Sequence, residues 1–115
     1  MCTQLQLSKI SNAMVECYRV VYGSDIVEII LYGSYARGDY TEESDIDIVA
    51  IVHGSRLHLQ EKLKYIWDVS AELGLENDII VSPTVIPYDE FMKYNQTLPY
   101  YRNIAKEGKK IGWFD

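Results

Sequence analysis

Cysteine is scarce in this 115-residue sequence: only Cys2 and Cys17 occur, too few and too oddly placed for a disulfide framework, and no Cys/His pattern has zinc spacing. That usage excludes a disulfide-stapled scaffold and predicts a reducing, cytoplasmic setting. Long apolar runs are also missing. No segment approaches the roughly 18 residues of a membrane helix, and the N-terminal MCTQLQLSKISNAM lacks the basic stretch and apolar run of an export signal. Positive charge is in deficit, with 11 Lys and Arg against 17 Asp and Glu and a formal net charge of -6. A chain that neutralises a nucleic-acid backbone needs clustered cations, so direct nucleic-acid binding is disfavoured. Lys106, Lys109 and Lys110, with Glu107 among them, read as a solvated helix end. No Gly-rich loop ends in Gly-Lys-Ser/Thr, which disfavours P-loop nucleotide hydrolysis.

What is present is the composition of one folded domain spanning residues 1–115: 48% hydrophobic, 24% charged, with ten tyrosines along its length. The chain is long enough for a core but too short for a catalytic domain plus a substrate domain, so whatever it acts on must dock from outside. Apolar residues at Ile10, Met14, Cys17, Tyr18 and Val21 recur at helical spacing and predict a helix over about 5–22, ended by Gly23. IVEIILY, 26–32, is a β-branched run too short for a helix and predicts a buried strand. A polar turn follows, opening on a short helix at Ser34, and 44–52 predicts a second strand. Leu59, Leu63, Ile66, Trp67 and Leu73 mark a second long helix with Gly74 as its C-cap. A third strand runs from Asn77 to Pro87, and helical segments over 88–94 and 98–107 close the chain. The fold class is α/β with a mixed sheet flanked by helices; the short connection between the first two strands leaves antiparallel and parallel pairing open.

The chemistry-bearing residues gather around the first two strands. Gly33 and Ser34 end the first, and ten residues later Asp45 and Asp47 open the second. A glycine there lets backbone approach a ligand closely, and Ser34 adds a hydroxyl and an N–H suited to phosphate oxygens. Residues two apart on a strand project to one face, so Asp45 and Asp47 stand side by side, roughly 6.5–7 Å apart at Cα. Mg2+ favours hard oxygen ligands and takes one or two carboxylates, leaving positions for water and substrate phosphates. Val49 and Ile51 share the Asp side of that strand; Ile46, Ile48, Ala50 and Val52 make the other side wholly apolar. A third carboxylate would let two cations sit about 3.5–4 Å apart. Asp78 is the candidate, because it starts the third apolar strand as Asp45 starts the second. Asp39, Glu42, Glu43, Glu76 and Asp89 read as solvated charge. Arg37 either neutralises the triphosphate or pairs with Asp39 to hold the loop. His53 and His58 have no second ligand at metal spacing and read as turn and helix-start residues.

GSYARGDYTEESDID resembles the signature of the DNA polymerase β-like nucleotidyltransferase superfamily, Gly-Ser, ten residues, Asp-X-Asp, without a gap. The short length and the ending LPYYRNIAKEGKKIGW are similar to the minimal nucleotidyltransferases of antitoxin type, encoded beside HEPN-domain partners. The resemblance covers essentially the whole chain. It implies a single-domain nucleotidyltransferase fold and metal-dependent nucleotidyl transfer. It makes Asp45, Asp47 and Asp78 the Mg2+ ligands and catalytic carboxylates, with Gly33 and Ser34 binding the triphosphate; Arg37 is a further candidate for the triphosphate, with the loop-holding alternative open. It also implies ATP as donor and a HEPN-domain toxin as partner, adenylylated on tyrosine. A binding module that inhibits its partner by occlusion, and transfer to a small molecule or RNA end, are the competing readings. The aromatic excess of Tyr88, Phe91, Tyr94, Tyr100, Tyr101, Trp113 and Phe114 is mostly core, its exposed remainder a docking surface.

Overall fold

The structure, a computed structural model, describes residues 3–112; Cys2, Trp113 and Phe114 lie outside the described residues. Helix α1, Gln4–Tyr22, begins with a reciprocal cap. The Thr3 hydroxyl accepts from the Gln6 N–H at 3.1 Å while the Gln6 side chain accepts from the Thr3 N–H at 3.0 Å, satisfying two backbone donors that the first turn leaves over. Ile10, Met14, Tyr18 and Tyr22 form its buried stripe.

Strands β1 (Ile26–Tyr32), β2 (Ile46–Val52), β3 (Val81–Pro87) and β4 (Lys109–Gly112) form one sheet in the order β3-β2-β1-β4. The short connection makes β1 and β2 antiparallel, whereas helix α3, Arg56–Asn77, carries the chain back so that β3 runs parallel to β2. The sheet is therefore mixed, as the sequence predicts. Ile46, Ile48, Ala50 and Val52 pack into a core with α1 and with Leu59, Leu63 and Ile66 of α3. Val49 and Ile51 pack instead with Phe91 of α4 (Tyr88–Tyr94) and with Tyr101 and Ile104 of α5 (Pro99–Glu107). The sheet is sandwiched between two helical layers, and the alternation read from β2 is real.

Three boundaries differ from expectation. Helix α3 continues through Gly74 to Asn77, and Asp78, in the left-handed region at φ 53, caps it. Gly74 is there because the chain leaving the helix turns back beneath it: a Cβ would lie 2.5 Å from the Ile79 carbonyl oxygen, a close-approach role that resembles a cap in sequence. Strand β3 consequently begins at Val81, not at Asn77. The lysine-rich end is not a solvated helix end alone: Lys109 and Lys110 lie on β4, antiparallel to β1, with the Lys110 Nζ 2.9 Å from the Glu28 carboxylate. Lysines on an outer strand also discourage pairing with other chains.

Two polar devices tie the layers together. Arg56 at the start of α3 donates to both carboxylate oxygens of Glu90 on α4, and the Tyr101 hydroxyl on α5 donates to Glu90 at 2.9 Å; the guanidinium holds the Glu90 carboxyl below its usual range. The fully buried Tyr18 hydroxyl lies between β2 and β3, 3.0 Å from the Ile48 carbonyl oxygen and 2.9 Å from that of Thr84, and accepts the Thr84 N–H at 3.1 Å. Burial drives its pKa well up, so it stays a neutral donor.

Replacing Tyr18 by Phe leaves buried backbone groups without this partner, which costs roughly 1–3 kcal/mol. Urea melts of Tyr18→Phe are expected to show that loss with an unchanged m value; wild-type stability would show that the bridge contributes nothing.

Candidate active site

The site is built where β1 hands over to α2, Ser34–Arg37. Gly33 adopts φ 79, and its carbonyl accepts the N–H groups of Ala36 and Arg37 at 3.0 and 3.1 Å, winding the short helix immediately after the strand. A Cβ at Gly33 would sit 2.6 Å from Asp47 Oδ2. No other residue type fits both the backbone angle and the contact. The bare backbone of the turn is thus packed against a carboxylate, and the antiparallel register puts Tyr32 directly opposite Asp47.

Asp45 does not lie on the strand, as the sequence suggests, but on the residue before it. The entry is held by the Ile46 N–H, which donates to the Ile80 carbonyl at 2.9 Å. A turn closes over residues 41–44, with the Thr41 N–H donating to the Ser44 hydroxyl at 2.9 Å, and the Tyr35 and Tyr40 rings stack at 4.4 Å to pin the loop to α2. Asp47 is half-buried, and its pKa is raised, first by that burial and second by the charge of Asp45. A half-buried carboxylate with a second carboxylate beside it is a setting that a divalent cation between the two stabilises. The structure therefore brings together Gly33, Ser34, Asp45 and Asp47.

It does not bring Asp78 to them. The expectation that Asp78 leads the third strand fails, because α3 runs longer and Asp78 is its exposed C-cap, facing a groove with Trp67, Leu75 and Ile80. Among the described residues no group of three His, Cys, Asp or Glu side chains is placed to hold a metal ion. Arg37 is exposed and pairs with Asp39 at 3.3 Å and Glu107 at 3.5 Å. His53 packs its ring on Tyr88 at 4.6 Å, and the His58 N–H donates to the Ser55 cap.

Residues that sequence reasoning missed surround Asp47. In the parallel register Ser82 stands beside Asp47 and Thr84 beside Val49; the alternation of VSPTV carried that signal. Tyr100 of α5 meets Tyr32 edge-on at 5.8 Å. Burial raises the Tyr100 pKa, the Thr84 hydroxyl opposes the rise, and the charge of Asp47 adds to it. Only the aromatic excess hinted at this residue.

The profile of the nucleotidyltransferase domain family matches residues 7–111. The chain belongs to this family. Similar proteins include MJ0604 of Methanocaldococcus jannaschii, whose name gives it as a candidate protein adenylyltransferase. It is 32% identical over 103 residues, covering 90% of this chain and 95% of that protein. MJ0141 of the same organism, likewise named as a candidate protein adenylyltransferase, is 46% identical over 57 residues, half of this chain and 56% of that one. The fold is shared with a toxin–antitoxin crystal structure containing AMP-PNP, at TM-score 0.56 and 18% identity over 91% of this chain and 73% of that one. It is shared also with a MntA-HpeT toxin–antitoxin variant at TM-score 0.56 and 16% identity, with the same coverage. The chain is thus a nucleotidyltransferase, and among its described residues no helix is long and apolar enough to cross a membrane.

Two outcomes follow from this nucleotidyltransferase's geometry. Gly33→Ala introduces both a strained φ and a clash with Asp47, so calorimetry is expected to show at least about tenfold weaker binding of a triphosphate analogue, of order 1.4 kcal/mol; unchanged affinity would remove Gly33 from the site. Asp47 has a folded pKa above its ordinary value of 3.8, so the folded state binds the proton more tightly and loses stability as pH rises through that window. In chelator, Asp47→Asn is therefore expected to melt above wild type at neutral pH, the two curves converging below about pH 3.8. A variant that melts lower at pH 7 would contradict the burial argument.

Proposed function

We propose that this nucleotidyltransferase transfers AMP from ATP to a hydroxyl of a separate protein, with Mg2+ held by Asp45 and Asp47, and that it serves as the antitoxin of a HEPN/MNT-type pair in the cytoplasm. The observation that carries the reading is the packing of the Gly33 backbone against the Asp47 carboxylate, with Asp45 two residues away. A turn suited to phosphate beside a carboxylate pair suited to a cation supports the reading. The names of the relatives, candidate protein adenylyltransferases, support a protein acceptor, and the toxin–antitoxin neighbours support a toxin as that protein.

The donor set fits the cation's preference: two carboxylate oxygens from one strand entry, with other positions left for triphosphate oxygens and water. When bound, Mg2+ supplies charge neutralisation for the triphosphate and its leaving pyrophosphate. The chain itself holds the triphosphate on the Gly33–Ser34 turn. The pinned loop keeps Asp45 in place, and the acceptor must come from outside. In the transfer the acceptor oxygen, giving up its proton to solvent, forms a bond to the α-phosphorus, the bond from that phosphorus to the oxygen bridging to the β-phosphorus breaks, and pyrophosphate departs. In-line alignment at about 3–3.5 Å provides much of the rate. A tyrosine of the partner is the proposed acceptor. Arg37 is proposed to hold the loop rather than the nucleotide.

Co-purified with the product of its neighbouring gene and given labelled ATP and Mg2+, the enzyme is expected to add one nucleoside monophosphate to the partner, seen by mass spectrometry. Asp45→Asn and Asp47→Asn are each expected to lower transfer at least about a hundredfold with the fold retained, since a lost cation ligand removes several kcal/mol of transition-state stabilisation. A partner that is inhibited yet unmodified would replace catalysis with occlusion.

A further inference from the structure

Apart from Asp45 and the Gly33 backbone, the residues of the neighbouring elements that face Asp47 are neutral. On one side β1 presents Tyr32, its antiparallel partner. On the other β3 presents Ser82, its parallel partner, about 4.8 Å away across the ladder. Above lies Tyr100, edge-on to Tyr32. The face assignment is independent of these contacts: Ser82, Thr84 and Ile86 alternate with Val81 and Val85, and Ile86 packs with Val49 and Ile51 while Val81 and Val85 pack on the opposite core. Ser82 and Thr84 are therefore the β3 side chains that share a face with Asp47. The acidic residue that sequence reading assigned to this role, Asp78, is spent on ending α3.

We propose that this active site holds one divalent cation and not two, because the positions on β3 where a further carboxylate would face the site are occupied by the hydroxyls of Ser82 and Thr84. The inference rests on the reading that Asp45 and Asp47 bind the cation of the nucleotide. A pair of cations 3.5–4 Å apart is held by shared carboxylates, since two doubly charged ions repel four times as strongly as two unit charges at the same distance. Asp45 and Asp47 complete the shell of one cation with the triphosphate. A neutral hydroxyl contributes no charge toward a second, and Mg2+ gives up water reluctantly for such a ligand. A consequence concerns the acceptor. With no second cation to draw off its proton, the acceptor's own acidity matters more, and a phenol, at pKa about 10, loses its proton far more readily than water at 15.7 or an aliphatic alcohol of similar weakness.

The test uses the full chain with Mn2+ and a non-hydrolysable ATP analogue, read by electron paramagnetic resonance and by metal content after rapid desalting. The wild type is expected to hold one Mn2+ per nucleotide-bound chain and to show the six-line spectrum of an isolated ion. Ser82→Asp, which places a third carboxylate beside Asp47, is expected to hold two and to show the broadened spectrum of a spin-coupled pair. If that variant does not fold, Thr84→Asp, one step along the same face, takes its place. A spin-coupled pair in the wild type would overturn the single-cation site while leaving Asp45 and Asp47 as ligands. No Mn2+ retained with the nucleotide would overturn the carboxylate reading itself. A second ion gained by neither folded variant would overturn the assignment of the β3 positions.

Discussion

The close approach of the Gly33 backbone to the Asp47 carboxylate is the constraint on which the site depends. It can exist only because β1 and β2 are antiparallel neighbours: the end of β1 and the start of β2 then fall at the same edge of the sheet, with Tyr32 opposite Asp47. A parallel pairing would have placed the turn and the carboxylates at opposite ends. The loop between them has to cross only one inter-strand spacing, and the Thr41–Ser44 turn and the Tyr35–Tyr40 stack hold it.

Strand β2 serves two cores and one site. Its even-numbered residues are buried against α1 and α3, and Val49 and Ile51 against α4 and α5, so a slip by one residue would turn each set onto the wrong core. That rigidity holds Asp47 half-buried at the strand's start, where a carboxylate would otherwise relax toward water. The Tyr18 hydroxyl, lodged between β2 and β3 at the level of Ile48 and Thr84, extends the same control to the strand that carries Ser82.

The second helical layer forms one border of the site. Helix α5 lays Tyr101 and Ile104 into the core and leaves Tyr100 beside Tyr32, 44% exposed and close to Asp47. Arg56, Glu90 and Tyr101 lock α4 and α5 to the start of α3. An acceptor hydroxyl approaching Asp47 from this side meets a polar and aromatic wall whose position is set by core packing. The exposed Arg37 pairs with acids on two elements and braces the rim.

The sequence alone determined the elements whose signals are local. The strand at Ile26–Tyr32, the helix at Ser34 and the two apolar faces of β2 followed from periodicity and from side-chain branching, and they stand in the structure. The spacing from Gly33 and Ser34 to Asp45 and Asp47 was legible for the same reason, since one turn and one strand entry carry it. Tertiary structure decided what depends on partners distant in the chain. Strand β4 has little apolar pattern of its own and exists by pairing with β1. Gly74 looked like a helix end because a glycine needed for close packing and one needed for a cap are the same letter; only the Ile79 carbonyl beneath it distinguishes them. That difference moved Asp78 off the sheet and put Ser82 beside Asp47, because strand register is set by cross-strand hydrogen bonds and side-chain packing, which no short stretch of sequence contains.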